Sequence, residues 1–213
     1  LISLAGGQFI HPIKAIVGGV TSGIDPQAAA DLREQLTEAL LIACELFDYY
    51  WDQSITLRDR IGTWGDDAPT HYITATGDDC PNYDGISPTP VIRVLGPDGA
   101  TCETFPAQSF RDYLTFEETD YSYAGRTSYQ GQVMRANSLA RINMTERFGT
   151  PGADRYLERF RETFGRPAHA ILLFDLGRGI ELVYALERAI EILDQPLDQE
   201  DTAVPFSPQD GEG

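Results

Sequence analysis

The sequence predicts a mainly α fold carrying a small antiparallel β insertion, an α+β class. Three observations carry that expectation. Leu32, Leu36, Ala39, Leu40, Ala43, Phe47 and Tyr50 recur at three- and four-residue steps, the stripe of a long amphipathic helix. Leu173, Leu176, Ile180, Val183, Leu186, Ile190 and Leu193 form a second such stripe. Between them, "PVIRVLGPDGATCETF" sets β-branched runs on both sides of Gly96-Pro97-Asp98-Gly99, a strong turn signal.

Residues 1–25 form a glycine-rich lead-in, in which "GGQFIHPIKAIVGGVT" reads as extended or turn-rich backbone. Its paired glycines fail the G-x-G-x-x-G spacing of a phosphate loop, and no Lys-Ser or Lys-Thr follows them. Paired glycines instead permit close backbone approach. Asp25-Pro26 is a helix start, with Asp as N-cap and Pro at the first helical position. The first long helix spans residues 26–61, ending near Tyr50 or continuing to Ile61 before Gly62.

Residues 70–105 form the β hairpin region, with "NYDGI" as a further turn and prolines 81, 88 and 90 confining its beginning to an edge or loop. Phe110 to Glu118 reads as a short helix or irregular acidic stretch, and "DYSYAGRTSYQGQ" as a glycine-broken loop. Residues 135–195 return to helix: "ANSLARINMTERFG" stopped by Gly149, "PGADRYLERFRETFG" stopped by Gly165, and a last helix from about Ala168 to Leu193. Residues 196–213 form an acidic, proline-bearing tail. The organisation expected is a single domain over 1–213, or the central part of a larger one, since "LISLAGG" and "PQDGEG" both read like the middle of a chain.

Charge narrows the partners. With 33 acidic and 16 basic residues the net charge is −17, so phosphate backbones and anionic membrane surfaces are repelled, and no nucleic-acid partner is expected. No window is apolar enough for a membrane span, and no basic stretch precedes an apolar leader. The three cysteines, Cys44, Cys80 and Cys102, lie far apart with no C-x-x-C pair, which argues against a disulfide framework and against zinc or iron–sulfur spacing.

The chemistry-bearing residues are few. Pro12 pushes His11 towards extended backbone, so His11 is held in a defined direction. It reads as a proton carrier, as a partner to a metal cluster, or as a buried histidine in a rigid turn. His71 and His169 are isolated and read as solvated or core residues. No G-x-S-x-G elbow is present. The adjacent acidic pairs, such as Glu117-Glu118, would point to opposite faces of a strand and read as solvated surface. Arg178 and Glu181 sit three apart on the last helix and can touch. Gly177 and Gly179 beside them weaken that helix, which fits close packing, a kink, or room for a cofactor.

Taken together, several stretches resemble one family. "LAGGQFIHPIKAIVGGVT", "NYDGI…VIRVLGPDGATCETF…FRDYLTFEE", "SYAGRTSYQGQVMRANSLARIN" and "LGRGIELVYALERAIEILDQP" are similar, in order and over nearly the whole chain, to segments of the large, catalytic subunit of nickel–iron hydrogenases. The likeness is nearest to the soluble branches that deliver electrons to NAD(P) or a deazaflavin. It implies a long-helix core around a nickel–iron centre that splits hydrogen heterolytically. It also implies a small subunit whose iron–sulfur clusters remove the electrons, a flavin-containing electron-transfer subunit, and a cytoplasmic location. The two C-x-x-C pairs that hold the metals in that family are absent here, so the resemblance implies a central segment without its ligands, inactive alone. His11, Arg141 and Glu181 are the candidate residues surrounding the metal pocket, and no residue of this chain is a candidate ligand. Two other readings stand beside it: a metal-free structural or electron-coupling homologue, like the quinone-chamber subunit of respiratory complexes, and an unrelated acidic helical binding module.

Overall fold

A computed structural model describes residues 2–65, 67–76, 91–197, 202–205 and 207, without the side chains of Ile61 and Cys102. The "NYDGI" turn, Cys80 and the prolines at 81, 88 and 90 lie outside the described residues. The chain divides into two compact units, residues 1–42 with 186–213, and residues 43–185.

In the first unit a short helix, α1 (Ile2–Gly6), precedes a two-stranded hairpin of β1 (Ala15–Ile16) and β2 (Gly19–Val20). The lead-in is therefore folded locally. Lys14 Nζ reaches back to the carbonyls of Leu4 and Gly23 at 3.4 and 3.5 Å. Gly19 shows why the glycine pair is needed: a Cβ there would lie 2.2 Å from the carbonyl oxygen of Thr202. That segment of the acidic tail pairs with the hairpin, since Val20 N–H donates to Thr202 O at 2.9 Å and Val204 N–H to Gly18 O at 3.0 Å.

Helix α2 (Pro26–Ile61) starts where Asp25 and Pro26 place it, with Asp25 Oδ1 accepting the Ala28 N–H at 2.8 Å. It stops at Gly62, whose φ of 75° is open to glycine at little cost. Of the sequence stripe, Leu36 is buried in the first unit and Ala43 and Phe47 in the second, where Trp51 takes the buried place expected of Tyr50, which is exposed.

The second unit contains the β region, which is larger than a hairpin. β3 (His71–Thr76), β4 (Val91–Leu95), β5 (Thr101–Pro106), β6 (Leu114–Thr119), β7 (Ser122–Tyr129) and β8 (Gln132–Arg135) form a sheet of order β5-β4-β3-β8-β7-β6. All neighbours are antiparallel except β3 and β8. The stretch expected to be a loop is thus mostly strand, and the acidic stretch before it is one helical turn, α3 (Phe110–Tyr113), followed by β6. Tyr and Thr suit a pleated surface even where the segment is polar. Gln130 and Gly131, with φ of 50° and 73°, make the tight turn that the β7–β8 hairpin requires. The glycine that seemed to break the strand, Gly125, is covered by the Phe116 ring of the neighbouring strand, where a Cβ would come within 1.9 Å. Ile73, Val94, Phe105 and Tyr129 form the buried face of this sheet, and Phe105 stacks on Tyr113 at 3.9 Å.

The helices of this unit are α4 (Ser138–Met144), α5 (Pro151–Phe164) and α6 (Leu173–Leu193), the last ending in the first unit. α4 stops at Met144, short of Gly149, and α6 begins five residues later than the sequence suggested, because the Ala168 backbone bonds elsewhere. Phe47 packs on Tyr156 at 4.2 Å, Trp51 on Phe164 at 5.3 Å, and Trp64 meets Phe164 edge-on at 4.7 Å. The buried Tyr156 hydroxyl donates towards Asp48 Oδ2 at 3.3 Å and the Cys44 carbonyl at 3.4 Å. Burial above all, then Cys44 and the Asp48 charge, push this phenol up to about 12.

This packing can be tested at two positions. At Gly179 a Cβ would sit 2.5 Å from the buried Phe47 ring. The gain in helix propensity from Gly179→Ala is about 1 kcal/mol, whereas overpacking costs about 1–3 kcal/mol. Urea unfolding is expected to show Gly179→Ala less stable than the parent, with the loss relieved in the double variant with Phe47→Leu. For Tyr156, a folded-state pKa above the unfolded value of 10.0 favours the native state below pH 10. That contribution is lost as pH rises from 10 towards about 12, so Tyr156→Phe is expected to flatten the alkaline fall in melting temperature over that window.

Candidate functional site

Glycine and serine at the contact between α4 and α6 bring the charged side chains of this unit together. Asn137 begins α4, its Oδ1 accepting the Leu139 N–H at 3.0 Å. One turn later, Ser138 and Arg141 share a face because they are three residues apart. On α6, Gly177 and Glu181 share a face because they are four apart. A Cβ at Gly177 would lie 3.2 Å from Ile142 Cγ1 and 3.3 Å from Ser138 Cβ, so its absence lets the two helices approach closely.

That approach places the Arg141 guanidinium on the Glu181 carboxylate in the forked, two-bond arrangement. Nε bonds Oε1, and Nη2 reaches Oε2 at 2.9 Å. Ser138 Oγ donates to the same Oε2 at 2.5 Å, and Arg141 Nη2 also donates to Ser138 Oγ at 3.2 Å. Side-chain exposure is 14% for Glu181 and 35% for Arg141, so the pair is largely withdrawn from water. Two of the three residues singled out from the sequence therefore meet. The local pair Arg178–Glu181 gives way to this longer-range one: Glu181 is turned to α4, and Arg178 is exposed.

His11 lies in the other unit and is exposed. Its backbone carbonyl accepts a hydrogen bond from the Gln8 side chain, which with Pro12 fixes the turn. The reading of a buried histidine in that turn is corrected by this exposure. His71 sits against Tyr129 at 5.4 Å. His169 bridges two segments, with Nδ1 2.9 Å from the Tyr72 hydroxyl and Nε2 3.1 Å from the Pro97 carbonyl.

Local spacing gives no sign of two further arginines. Arg161 donates to the carbonyls of Glu146, at 2.8 Å, and of Ile142 and Thr145; burial first, then Arg166, lowers its pKa from the usual range. Arg166 Nε and Nη2 donate to the Asn143 and Met144 carbonyls at 2.8 and 3.1 Å, and its Nη1 pairs with Glu146 Oε1 at 2.7 Å. Asn143 clamps the Ala168 backbone in both directions, each bond 2.9 Å. In "LARIN", Leu139 and Ala140 are buried, Arg141 is ion-paired and Asn143 holds the next segment.

Soft metals such as nickel and iron in a hydrogenase-type centre call for thiolate donors. Among the described residues no three His, Cys, Asp or Glu side chains are placed to hold a metal. Cys44 is a free thiol, and Cys80 and the Cys102 side chain lie outside the described residues. The donors present here do not fit a nickel–iron centre. What the site can do is hold α4 and α6 in fixed register. Among the described residues no helix is long and apolar enough to cross a membrane.

No protein-family model matches the chain. Curated relatives do. It is 27% identical over 219 residues to a subunit of the vhu F420-non-reducing hydrogenase of Methanococcus voltae, covering 100% of this chain and 51% of the relative. It is 28% identical over 232 residues to the beta subunit of the NAD-reducing hydrogenase HoxS of Cupriavidus necator, covering 100% of this chain and 46% of the relative. The chain spans about half the length of the curated relatives it matches. Its fold matches that of a solved NAD+-reducing NiFe hydrogenase in the H2-reduced state, with a TM-score of 0.81 and 19% identity over 98% of this chain and 47% of that one. The chain is thus homologous to part of a hydrogenase subunit.

Breaking the Arg141–Glu181 pair from one side leaves the other charge half-buried, and Glu181→Gln is expected to cost about 1–3 kcal/mol in urea unfolding. Replacing both partners with apolar residues, Arg141→Met with Glu181→Leu, is expected to recover most of that loss.

Proposed function

We propose that this chain is part of the large subunit of a nickel–iron hydrogenase. The complete protein would split or form H2 heterolytically, passing electrons to the iron–sulfur clusters of a small subunit. By likeness to the NAD-linked branch, a flavin-containing subunit would carry them on, in the cytoplasm. In this reading the 213 residues supply scaffold. The α4–α6 ion pair fixes the helices that wall the metal pocket, the thiolate ligands come from elsewhere in the assembled protein, and His11 is carried as a separate candidate on the likeness of its own segment alone. The observation that supports this most is the likeness to hydrogenase subunits along the whole chain, together with a TM-score of 0.81 over 98% of it.

A second reading rests on the lack of any C-x-x-C pair in the sequence. A homologue that has lost its metals would keep the same helices and ion pair as a structural or electron-coupling module.

The gene separates the two. Codons on both sides of the present chain are expected to encode a C-x-x-C pair each, and cysteine-free flanks would leave only the metal-free reading. The complete gene product, made with its small subunit, is expected to carry stoichiometric nickel and to reduce viologen dyes under H2. In that enzyme His11→Ala should lower turnover about tenfold or more, at unchanged nickel content. Unaltered turnover would remove His11 from the reading.

A further inference from the structure

Every half-buried arginine of the described chain meets an acceptor except one. Arg135 donates to the His169 carbonyl, Arg141 to Glu181, Arg159 to Asp48, and Arg161 to the carbonyls that close α4. Arg93, on β4, makes no hydrogen bond or ion pair with the described residues, and its Nε is buried without a partner. Acidic residues outnumber basic ones by 33 to 16, so the missing partner does not reflect a shortage of carboxylates. A buried guanidinium donor left unmade is costly, and such a group is found where something else completes it.

The strand explains where Arg93 points. Ile92 and Val94 belong to the sheet core, so by alternation Arg93 and Leu95 share the opposite face. Both residues line an open cleft of about 350 Å³, together with Asp98, Thr101, Met144, Glu146 and Arg166. Neither carboxylate there bonds Arg93: Asp98 Oδ1 accepts the Ala100 N–H at 3.0 Å, and Glu146 Oε1 pairs with Arg166 Nη1 at 2.7 Å. Among the described residues the Arg93 guanidinium has no ion-pair partner.

We propose that this cleft binds a carboxylate, held by the guanidinium fork of Arg93 with the Thr101 hydroxyl beside it. A planar carboxylate matches the fork in two parallel bonds. A dianion such as phosphate suits the site less well, because Asp98 and Glu146 flank it with negative charge. The cleft is of the size that takes a small organic acid, and it is equally open to one Asp or Glu side chain of a docked protein. The site is independent of the hydrogenase reading and stands or falls separately.

The test is heteronuclear NMR of the Arg93 Nε–H during titration of the purified protein. The probes are acetate, succinate and a short glutamate-bearing peptide, each set against chloride at equal ionic strength. A saturable shift of that resonance is expected with carboxylates and not with chloride. Tighter binding of succinate identifies a free acid as the ligand, and tighter binding of the peptide identifies a protein side chain. Arg93→Lys should weaken binding about tenfold, by losing the fork while keeping the charge. Thr101→Val, on an exposed hydroxyl, should weaken it less and leaves the sheet intact. A response that never saturates, or that equals the chloride response, overturns the proposal. So does undiminished binding in Arg93→Lys.

Discussion

A buried helix of seven residues cannot stand on its own hydrogen bonds. α4 has room for few internal bonds, and six of its seven residues are buried, so water cannot serve its ends. The surrounding chain is arranged to serve them instead. Asn137 closes the start, Arg161 and Arg166 gather the carbonyls from Ile142 to Glu146, and Asn143 ties the helix to Ala168. The Tyr72 hydroxyl donates to the same Ala168 carbonyl at 2.7 Å, which brings the sheet into the arrangement. Helix, sheet and the start of α6 are therefore organised by one requirement, that no backbone group of α4 be left dry and unpaired.

This requirement also explains the shape of the candidate site. Arg141 is presented to Glu181 because α4 cannot rotate once both of its ends are held, and Gly177 lets α6 come close enough to complete the pair. The result is a fixed contact between two helices of one unit. In the proposed function it serves as scaffold, in a chain that spans about half the length of its relatives.

Much of this was legible in the sequence where the signal is local. Asp25-Pro26 and Gly62 bracket α2, and Pro151 and Gly165 bracket α5, because caps and breakers act on the residues beside them. Strands β6 to β8 escaped, since their tyrosines, serines and glycines read as loop until Phe116 is seen covering Gly125 from the next strand. Glu181 stands out in the sequence, but with Arg178 as partner. Its true partner lies 40 residues away, and only the packing of α4 on α6 connects them. Arg161 and Arg166 carried no local signal at all, because the carbonyls they serve are defined by where α4 stops.

The choice of cation has a consequence outside the fold. All 16 basic residues but Lys14 are arginines, and the structure uses their forks to bridge several carbonyls or both oxygens of a carboxylate, which an ammonium cannot do from one position. The chain consequently offers one lysine ammonium, placed between the Leu4 and Gly23 carbonyls. Lysine acetylation, ubiquitin attachment and amine-directed cross-linkers have a single side-chain target on it. An amine-reactive dye would report on the hairpin segment and leave the α4 network unlabelled.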